Sequence, residues 1–481
     1  MQLRSRFLQS VCLGLLCASV AAADRPNLIL VTGDDMGFQL GCYGDTVATT
    51  PHMDRLAAEG TRFTRGYITQ ASCSPSRSSM LTGLYPHQNG QIGLAHLGYS
   101  MHPGVPTLPS LLKQSGYRTG IIGKLHVAPE SAFDFDYKQT NTADTRDPEK
   151  VRAKCRDFLA DRGGQPFFLM LNFFDPHDPH LQDVAGSPRV KVAAEQAQVY
   201  PFLGADSPEL RRRVAEFTTC VNRVDEGVGV LMEVLRERGL DTNTFLIILG
   251  DNGPPLVRAK VTSFEAGVNV PFLAWWPGQV NPQVSPALVC SIDLLPTYLE
   301  LAGVSPPAGL PGRSLVPLLR GQPGPWRESL ATEYTTHEPR NLNPQRSIRD
   351  ERYKLTITLL KDPAFPWPSE LPLDEYRKIQ KRAATGEYLE LYDLQTDPYE
   401  FHNLAGQANL QTVQDRLFQE LQRWRAQTQD PLLDHAALRA LVLKEKDAPP
   451  TPVPAWKKNQ TKNPAPPKKR LAADGGAGSV K

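Results

Sequence analysis

The chain has 481 residues, 40% apolar and 22% charged, enough for one large core and a smaller second one. Its net charge of +2 hides an asymmetry: residues 446–481 hold eight Lys/Arg against two Asp/Glu, and the body from 24 to 445 is acidic at −6. That excludes nucleic-acid binding by bulk charge, so an anionic substrate would need local cations to hold it.

Residues 1–23 read as a secretory signal. Arg4 and Arg6 precede the apolar stretch "VCLGLLCASV", and Ala21-Ala22-Ala23 forms a small-residue cleavage site before Asp24. The apolar run is too short to span a membrane, so the expectation is an exported protein with no membrane span, periplasmic, secreted or lysosomal according to host. Cys42, Cys73, Cys155, Cys220 and Cys290 remain after the signal, with no CxxC spacing to suggest zinc; their pairing is left open.

The body then alternates strands and helices. "PNLILVT" is a buried parallel strand, and "TPHMDRLAAEG" is a helix with Thr50 as N-cap, Pro51 in its first position and Gly60 as its stop. "TGIIG", "FFLMLNFF", "TFLIILG" and "VPFLAWW" are further buried strands. Residues 207–239 form one long helix or two, and "SIDLLPTYLELAG" a helix kinked or broken near Pro296. The pattern predicts an α/β sheet with helices on both faces, whose ligand site gathers at the carboxyl ends of its strands. After about residue 330, "RSIRDERYKLTIT" and "EYLELYDL" predict antiparallel strands, and "LQTVQDRLFQELQRWRAQT" an amphipathic helix. The expected division is therefore 24–330 for the main domain, 331–445 for a smaller C-terminal subdomain and 446–481 for a disordered Pro/Lys-rich tail.

Polar clusters at strand ends carry the chemistry. Asp34-Asp35 are adjacent carboxylates whose repulsion a hard cation would relieve, although in isolation a solvated loop is the better explanation. Lys124 and His126 follow "TGIIG" and, as alternate residues, can face the same way. "NFFDPHDPH" offers His177 and His180, and Asp251-Asn252 offer two oxygen ligands before Gly253, with Lys260 farther on. Together these suggest hydrolysis of a phosphate or sulfate ester: Asp34, Asp35, Asp251 and Asn252 around Ca²⁺ or Mg²⁺, with Lys124, His126, His177, Lys260 and Arg77 around an anion.

The remaining stretch is "ASCSPSRSSMLTG". A lone cysteine among small hydroxylated residues looks too exposed for a core, and it has no near partner for a metal or disulfide. Cys73-Ser74-Pro75-Ser76-Arg77 with the following "LTG" resembles the signature of the type I sulfatases, whose cysteine a separate enzyme oxidises to formylglycine. The likeness spans roughly residues 25–405, through "PNLILVTGDDMG", "GYRTGIIGKLH", "DNG" and "LYDLQTDPYEFHNLA". It is strongest toward the heparan N-sulfatase (sulfamidase) branch and its bacterial relatives in "CSPSRSSMLTGLYPHQNGQIGL" and "GYRTGIIGKLHVAPESAFDFDY"; after Gly253 the chain follows the general sulfatase pattern of a lysine, then aromatic-Glu-x-Gly.

This resemblance implies an alkaline-phosphatase-like α/β sandwich with a large mixed sheet and a smaller C-terminal antiparallel sheet. It implies maturation of Cys73 by a formylglycine-generating or anaerobic sulfatase-maturating enzyme. It also implies Ca²⁺ (Mg²⁺ as the alternative) held by Asp34, Asp35, Asp251, Asn252 and the modified Cys73. The hydrated aldehyde would attack sulfur with one hydroxyl and expel sulfate with the second. Arg77 would orient that diol, Lys124 and Lys260 would neutralise sulfate oxygens, His177 (or His180) would protonate the leaving atom, and His126 would assist sulfate release. The implied substrate is a sulfated carbohydrate, N-sulfoglucosamine of heparan-type glycans foremost. The alternatives are a carbohydrate O-sulfatase or arylsulfatase, a phosphonate monoester or phosphodiester hydrolase, and a non-catalytic sulfated-glycan binder whose Cys73 stays a thiol.

Overall fold

A computed structural model describes residues 25–322, 324–339, 341–365 and 388–448. The signal and nearly all of the expected tail lie outside these residues. The last described helix reaches Asp447, so the first residues assigned to the tail are helical.

Eight strands form one mixed sheet: β1 (Asn27–Gly33), β2 (Thr61–Tyr67), β3 (Arg118–Gly123), β4 (Tyr137–Gln139), β5 (Phe167–Phe173), β6 (Thr244–Gly250), β7 (Phe272–Trp275) and β8 (Gln283–Cys290), in the order β4-β3-β5-β1-β6-β7-β2-β8. β1 lies between β5 and β6 and is parallel to both, while β7 runs antiparallel to β6 and β2. β1, β5 and β6 are buried along their whole length because both faces are covered. Leu28, Leu30, Phe168, Met170, Phe245 and Ile247 pack into one core, and the intervening Ile29, Val31, Leu169, Leu171, Leu246 and Ile248 into the other. The period of two along a strand divides each apolar run between the two faces.

Helices complete both layers. The Pro208–Glu237 helix is single and continuous, with Ser207 accepting from the Leu210 amide. The Pro51–Glu59 helix starts as the sequence predicts but is capped differently: Thr50 Oγ1 accepts from the Gly41 amide instead of capping, and the His52 and Met53 amides donate to Asp225 of the long helix. A carboxylate from a neighbouring element thus does the work of the local cap, and burial pushes it up to about 7. Pro296 neither kinks nor breaks its helix. It lies in the first turn of Leu294–Leu301, where a missing amide proton leaves no carbonyl unpaired.

A second, antiparallel sheet has the order β12-β11-β10-β9, from β9 (Leu330–Tyr334), β10 (Gln345–Arg349), β11 (Tyr353–Thr358) and β12 (Leu389–Asp393). Leu417 and Leu421 of the Gln411–Gln427 helix close its core. Cys42, Cys73, Cys155, Cys220 and Cys290 are all unpaired. Among the described residues, no helix is long and apolar enough to cross a membrane.

Candidate active site

The topology brings the predicted residues to one sheet edge. Asp34-Asp35 follow β1 and Asp251-Asn252 follow β6, with Gly33 opposite Gly250 and the Asp251 amide donating to the Gly33 carbonyl at 3.1 Å. Lys124 follows β3. Gly123 has φ +93 there, and a Cβ on it would lie 2.0 Å from the Asn172 carbonyl oxygen, so only glycine allows β3 to turn this closely against β5. The strand alternation that would align Lys124 with His126 ends at this turn, since His126 itself has φ +54.

Cys73 is the first residue of the Cys73–Thr82 helix. Contrary to the exposure expected of it, Cys73 is 2% accessible and every residue of that helix is buried. Several of its hydroxyls do not oppose burial because they bond inward: Ser78 Oγ donates to the Pro75 carbonyl at 2.8 Å, and Thr82 Oγ1 to the Ser78 carbonyl at 2.7 Å.

Around Cys73 the groups form one buried ionic cluster. Sγ lies 3.6 Å from Asp34 Oδ1 and 3.9 Å from Asp35 Oδ1. Lys124 Nζ donates to Asp34 Oδ2 at 2.7 Å, and Lys260 Nζ to both oxygens of Asp35 at 2.6 and 2.8 Å. Arg77 Nε donates to Asp251 Oδ2 at 2.8 Å, and its Nη2 lies 3.7 Å from Asp34 Oδ1. Asn252 Nδ2 donates to Asp35 Oδ1 at 2.8 Å, and the Asp35 amide to Asp251 Oδ1 at 2.8 Å.

The electrostatics follow from burial and crowding. Burial pushes Asp34 up, but Lys124, His177, Arg77 and Lys260 outweigh it and hold the carboxyl well below its ordinary range. Burial and the neighbouring Asp34 carboxylate push Asp251 the other way, to about 7. Burial also raises the Cys73 thiol to about 12, so an unmodified Cys73 is a poor nucleophile. Burial opposes the charge on Lys124, yet Asp34 holds it above its usual value.

The two candidate histidines separate cleanly. His177 stacks on Phe174 and its Nδ1 donates to the Asp178 carbonyl at 2.6 Å, leaving Nε2 4.0 Å from Asp35 Oδ2. His180 packs edge-on against Phe217, with Nε2 3.5 Å from Asp178, and is not part of the cluster. His126 borders the cluster rather than joining it: its Nε2 bonds to Nδ1 of His96 at 2.7 Å.

Several contributors escape sequence reasoning. Arg146 donates to the carbonyls of His177 and Pro179, both at 2.8 Å, and pairs with Asp175 at 3.0 Å, so it shapes the histidine loop. Thr32 and Asn172 face each other in register and accept from Arg77 Nη1 at 3.3 Å each, fixing the guanidinium from below. Their signal was a polar residue near the end of an otherwise apolar strand. A groove of about 1900 Å³ lies elsewhere, beside Arg65, Arg313, Trp326 and Arg423; none of the clustered residues line it.

The arrangement has counterparts in known proteins. A sulfatase family model matches residues 26–304, and the N-sulphoglucosamine sulphohydrolase C-terminal model matches residues 259–365. Both matches include residues 259–278 of the segment after Gly253 that reads as a general sulfatase pattern. Human N-sulphoglucosamine sulphohydrolase is 31% identical over 473 residues, covering 87% of this chain and 94% of that protein. Human arylsulfatase A is 31% identical over 81% of this chain and 85% of its own length, and an ulvan-active sulfatase of Formosa agariphila is 29% identical over 84% and 81%. A solved structure in complex with its substrate D-glucosamine-2-N,6-O-disulfate superposes with a TM-score of 0.66 at 23% identity, covering 84% of this chain and 98% of that one, and so shares the fold. The chain belongs to the sulfatase family and is a sulfuric ester or sulfamate hydrolase of alkaline-phosphatase-like fold.

Proposed function

We propose that this enzyme removes sulfate from a sulfated carbohydrate, N-sulfoglucosamine of heparan-type glycans foremost, using formylglycine made from Cys73 and a bound divalent cation. The observation that carries the reading is the convergence of Cys73 Sγ, three carboxylates and two lysines in one buried cluster. The N-sulfate preference is supported by the 31% identity to human N-sulphoglucosamine sulphohydrolase and by the C-terminal match over 259–365.

The residues fit the cation. Asp34, Asp35, Asp251 and Asn252 present only oxygen donors, which suits Ca²⁺ and, with a tighter shell, Mg²⁺. Asn252 Oδ1 is buried without a hydrogen-bond partner, as a vacant oxygen ligand would be. Asp251, pushed up to about 7, regains its charge when a cation offsets Asp34. Bound there, the cation supplies positive charge that acidifies the nucleophilic hydroxyl. The formylglycine hydrate supplies that hydroxyl and a second one that later expels sulfate.

The chain's own side chains do the rest. Arg77 clamps Asp251 and lies 3.7 Å from Asp34, so its first task is to hold these carboxylates together rather than to orient the diol alone. Lys124 and Lys260 face residue 73 across Asp34 and Asp35 and offset the charge that grows on sulfate oxygens. His177 presents Nε2 to the site because Nδ1 is committed to the Asp178 carbonyl; protonated, Nε2 donates to the leaving nitrogen or oxygen. His126 takes the proton that accompanies sulfate release. In this reading 24–330 is the catalytic domain, 331–445 its smaller companion, residues 1–23 direct export, and a maturation enzyme modifies Cys73 in the unfolded chain.

The test is sulfate release from N-sulfated glucosamine beside its 6-O-sulfated isomer, using protein whose Gly66–Arg77 tryptic peptide has the mass of formylglycine. Release from the N-sulfate is expected. Release from the 6-O-sulfate alone overturns the N-sulfate preference. Failure on both, with faster turnover of phosphonate or phosphate esters, overturns the carbohydrate sulfatase reading.

A further inference from the structure

His96 lies outside the ionic cluster, on an exposed 3-10 turn over Ala95–Leu97, and touches the one site histidine that stands apart from that cluster. Its Nδ1 is 2.7 Å from Nε2 of His126, and the two rings stack with centroids 4.9 Å apart. His126 is held in the left-handed backbone region at φ +54, uncommon for a residue with a Cβ and indicative of a side chain fixed by its surroundings. Its other nitrogen, Nδ1, is buried and has no hydrogen-bond partner.

A neutral imidazole carries one proton, and the nitrogen that carries it is set by the hydrogen bond the other makes. Two arrangements satisfy the 2.7 Å contact. If His96 donates, the proton of His126 sits on Nδ1, where it is a buried N–H with no acceptor, which is unfavourable. If His126 donates from Nε2, Nδ1 is a bare lone pair. The second arrangement leaves no buried donor unpaired, and burial and Lys124, which outweigh Asp34, disfavour further positive charge on the ring. On the outer side, burial and Lys124 outweigh Glu338 and lower His96 below its ordinary range, so its ring is neutral and its Nδ1 is free to accept.

We propose that His96 is a positioning residue for sulfate release: it accepts the Nε2 proton of His126 and so keeps the buried, unpartnered Nδ1 of His126 as the lone pair that takes the proton in that step. The step is a proton transfer alone. The hydroxyl hydrogen moves to Nδ1, its bonding pair stays on oxygen, and the imidazolium formed has its Nε2–H already bonded to His96. That bond becomes charge-assisted and about twice as strong when the ring is cationic. This matters because burial, Lys124 and His96 itself hold His126 far below the ordinary histidine range. The inference rests on the proposed reading of His126 as the release base.

Long-range proton–nitrogen NMR of histidine-labelled full-length protein, with Cys73 unmodified, reads the tautomer without turnover. Wild type should show His126 protonated on Nε2 and bare on Nδ1, and His96→Phe should lose that pure tautomer. In formylglycine-containing protein, H96F should lower kcat about 10–100-fold with KM within about twofold, and H96Q, whose carbonyl can accept the Nε2 proton, should recover most of it. Because His96 is exposed, both variants should melt within a few degrees of wild type. A wild-type His126 protonated on Nδ1, or an H96F variant with wild-type kcat, overturns the proposal. If modified wild type releases no sulfate from any substrate, the functional reading falls, and the tautomer measurement alone then decides whether His96 orients His126.

Discussion

Two buried clusters of charge organise this molecule, and they behave in opposite ways. Where the small sheet meets the large one, Glu265 receives Arg349 at 2.8 Å and Lys354 at 3.1 Å, while Lys354 also reaches Glu400 at 2.9 Å. Nearby, Arg346 grips Asp430 through two bonds of 2.9 and 3.0 Å, and Arg425 adds a third at 2.8 Å. Burial pushes Glu265 up, but Lys354 and Arg349 win and bring it down to about 2. In the cluster around Cys73, Asp251 is more deeply buried still, and burial and Asp34 win over Arg77 and take it up to about 7. The first carboxylate has cations on both oxygens and stays charged unaided. The second shares its surroundings with Asp34 and Asp35 and keeps its charge only if a further cation arrives. A junction built to hold two sheets together neutralises itself; a site built for a ligand leaves part of that neutralisation to the ligand.

The contrast can be broken experimentally, starting with the largest effect. With the proposed formylglycine mechanism, Cys73→Ser removes the second oxygen needed to expel sulfate, and should cut turnover by about 10⁴-fold or more while leaving the melting temperature within a few degrees; steady-state kinetics and calorimetry check both. Chelation of divalent cations should abolish turnover, and Ca²⁺ should restore it. The metal-free protein should also lose stability as pH rises from about 4 to 7. The folded state keeps a proton on Asp251 up to about 7, whereas the unfolded state releases it near 3.8, so folding binds a proton in that window and is disfavoured as protons become scarce. Added Ca²⁺ should flatten that slope in thermal melts across the window.

His177→Ala should slow sulfate release by about 10²–10⁴-fold, most on poor leaving groups, whereas His180→Phe should cost less than about tenfold. Burial lowers His177, so its acid form appears only below the ordinary histidine range. The wild-type rate on a poor leaving group should therefore rise as pH falls below 6.5, and H177A should lose that rise. At the junction, Asp430→Asn should cost about 3–5 kcal/mol in denaturant unfolding by leaving Arg346 and Arg425 short of a partner. Its kcat per folded molecule should stay unchanged, which separates the structural cluster from the catalytic one.

Much of the fold was legible because β1, β5 and β6 carry apolar runs broken only near their ends, the composition that a strand buried on both faces requires. β2 was not legible: Arg62 and Arg65 interrupt "TRFTRGY", and it becomes a strand through pairing with β7 and β8. β8 escaped because Pro286 lies inside it, and β9 because "LATEY" carries too few strand-forming residues. The cap of the Pro51–Glu59 helix escaped for another reason: Asp225 lies far away in sequence.

The sequence alone determined the chemistry on offer. Parallel strands end on one edge, so polar pairs placed after β1, β3 and β6 had to meet, whatever the loops did, and Cys-Ser-Pro-Ser-Arg singled out the cysteine that they surround. Tertiary structure decided which groups are free to act. His177 and His180 share one "DPHDPH" repeat, and only the loop's packing, with Arg146 on its carbonyls, turns the first to the site and the second against Phe217. Arg77 becomes a clamp on Asp251, and His126 acquires its partner in His96, through contacts between residues 174 and 30 positions apart. Such contacts depend on distances set by packing across the sheet, and local pattern carries no record of them.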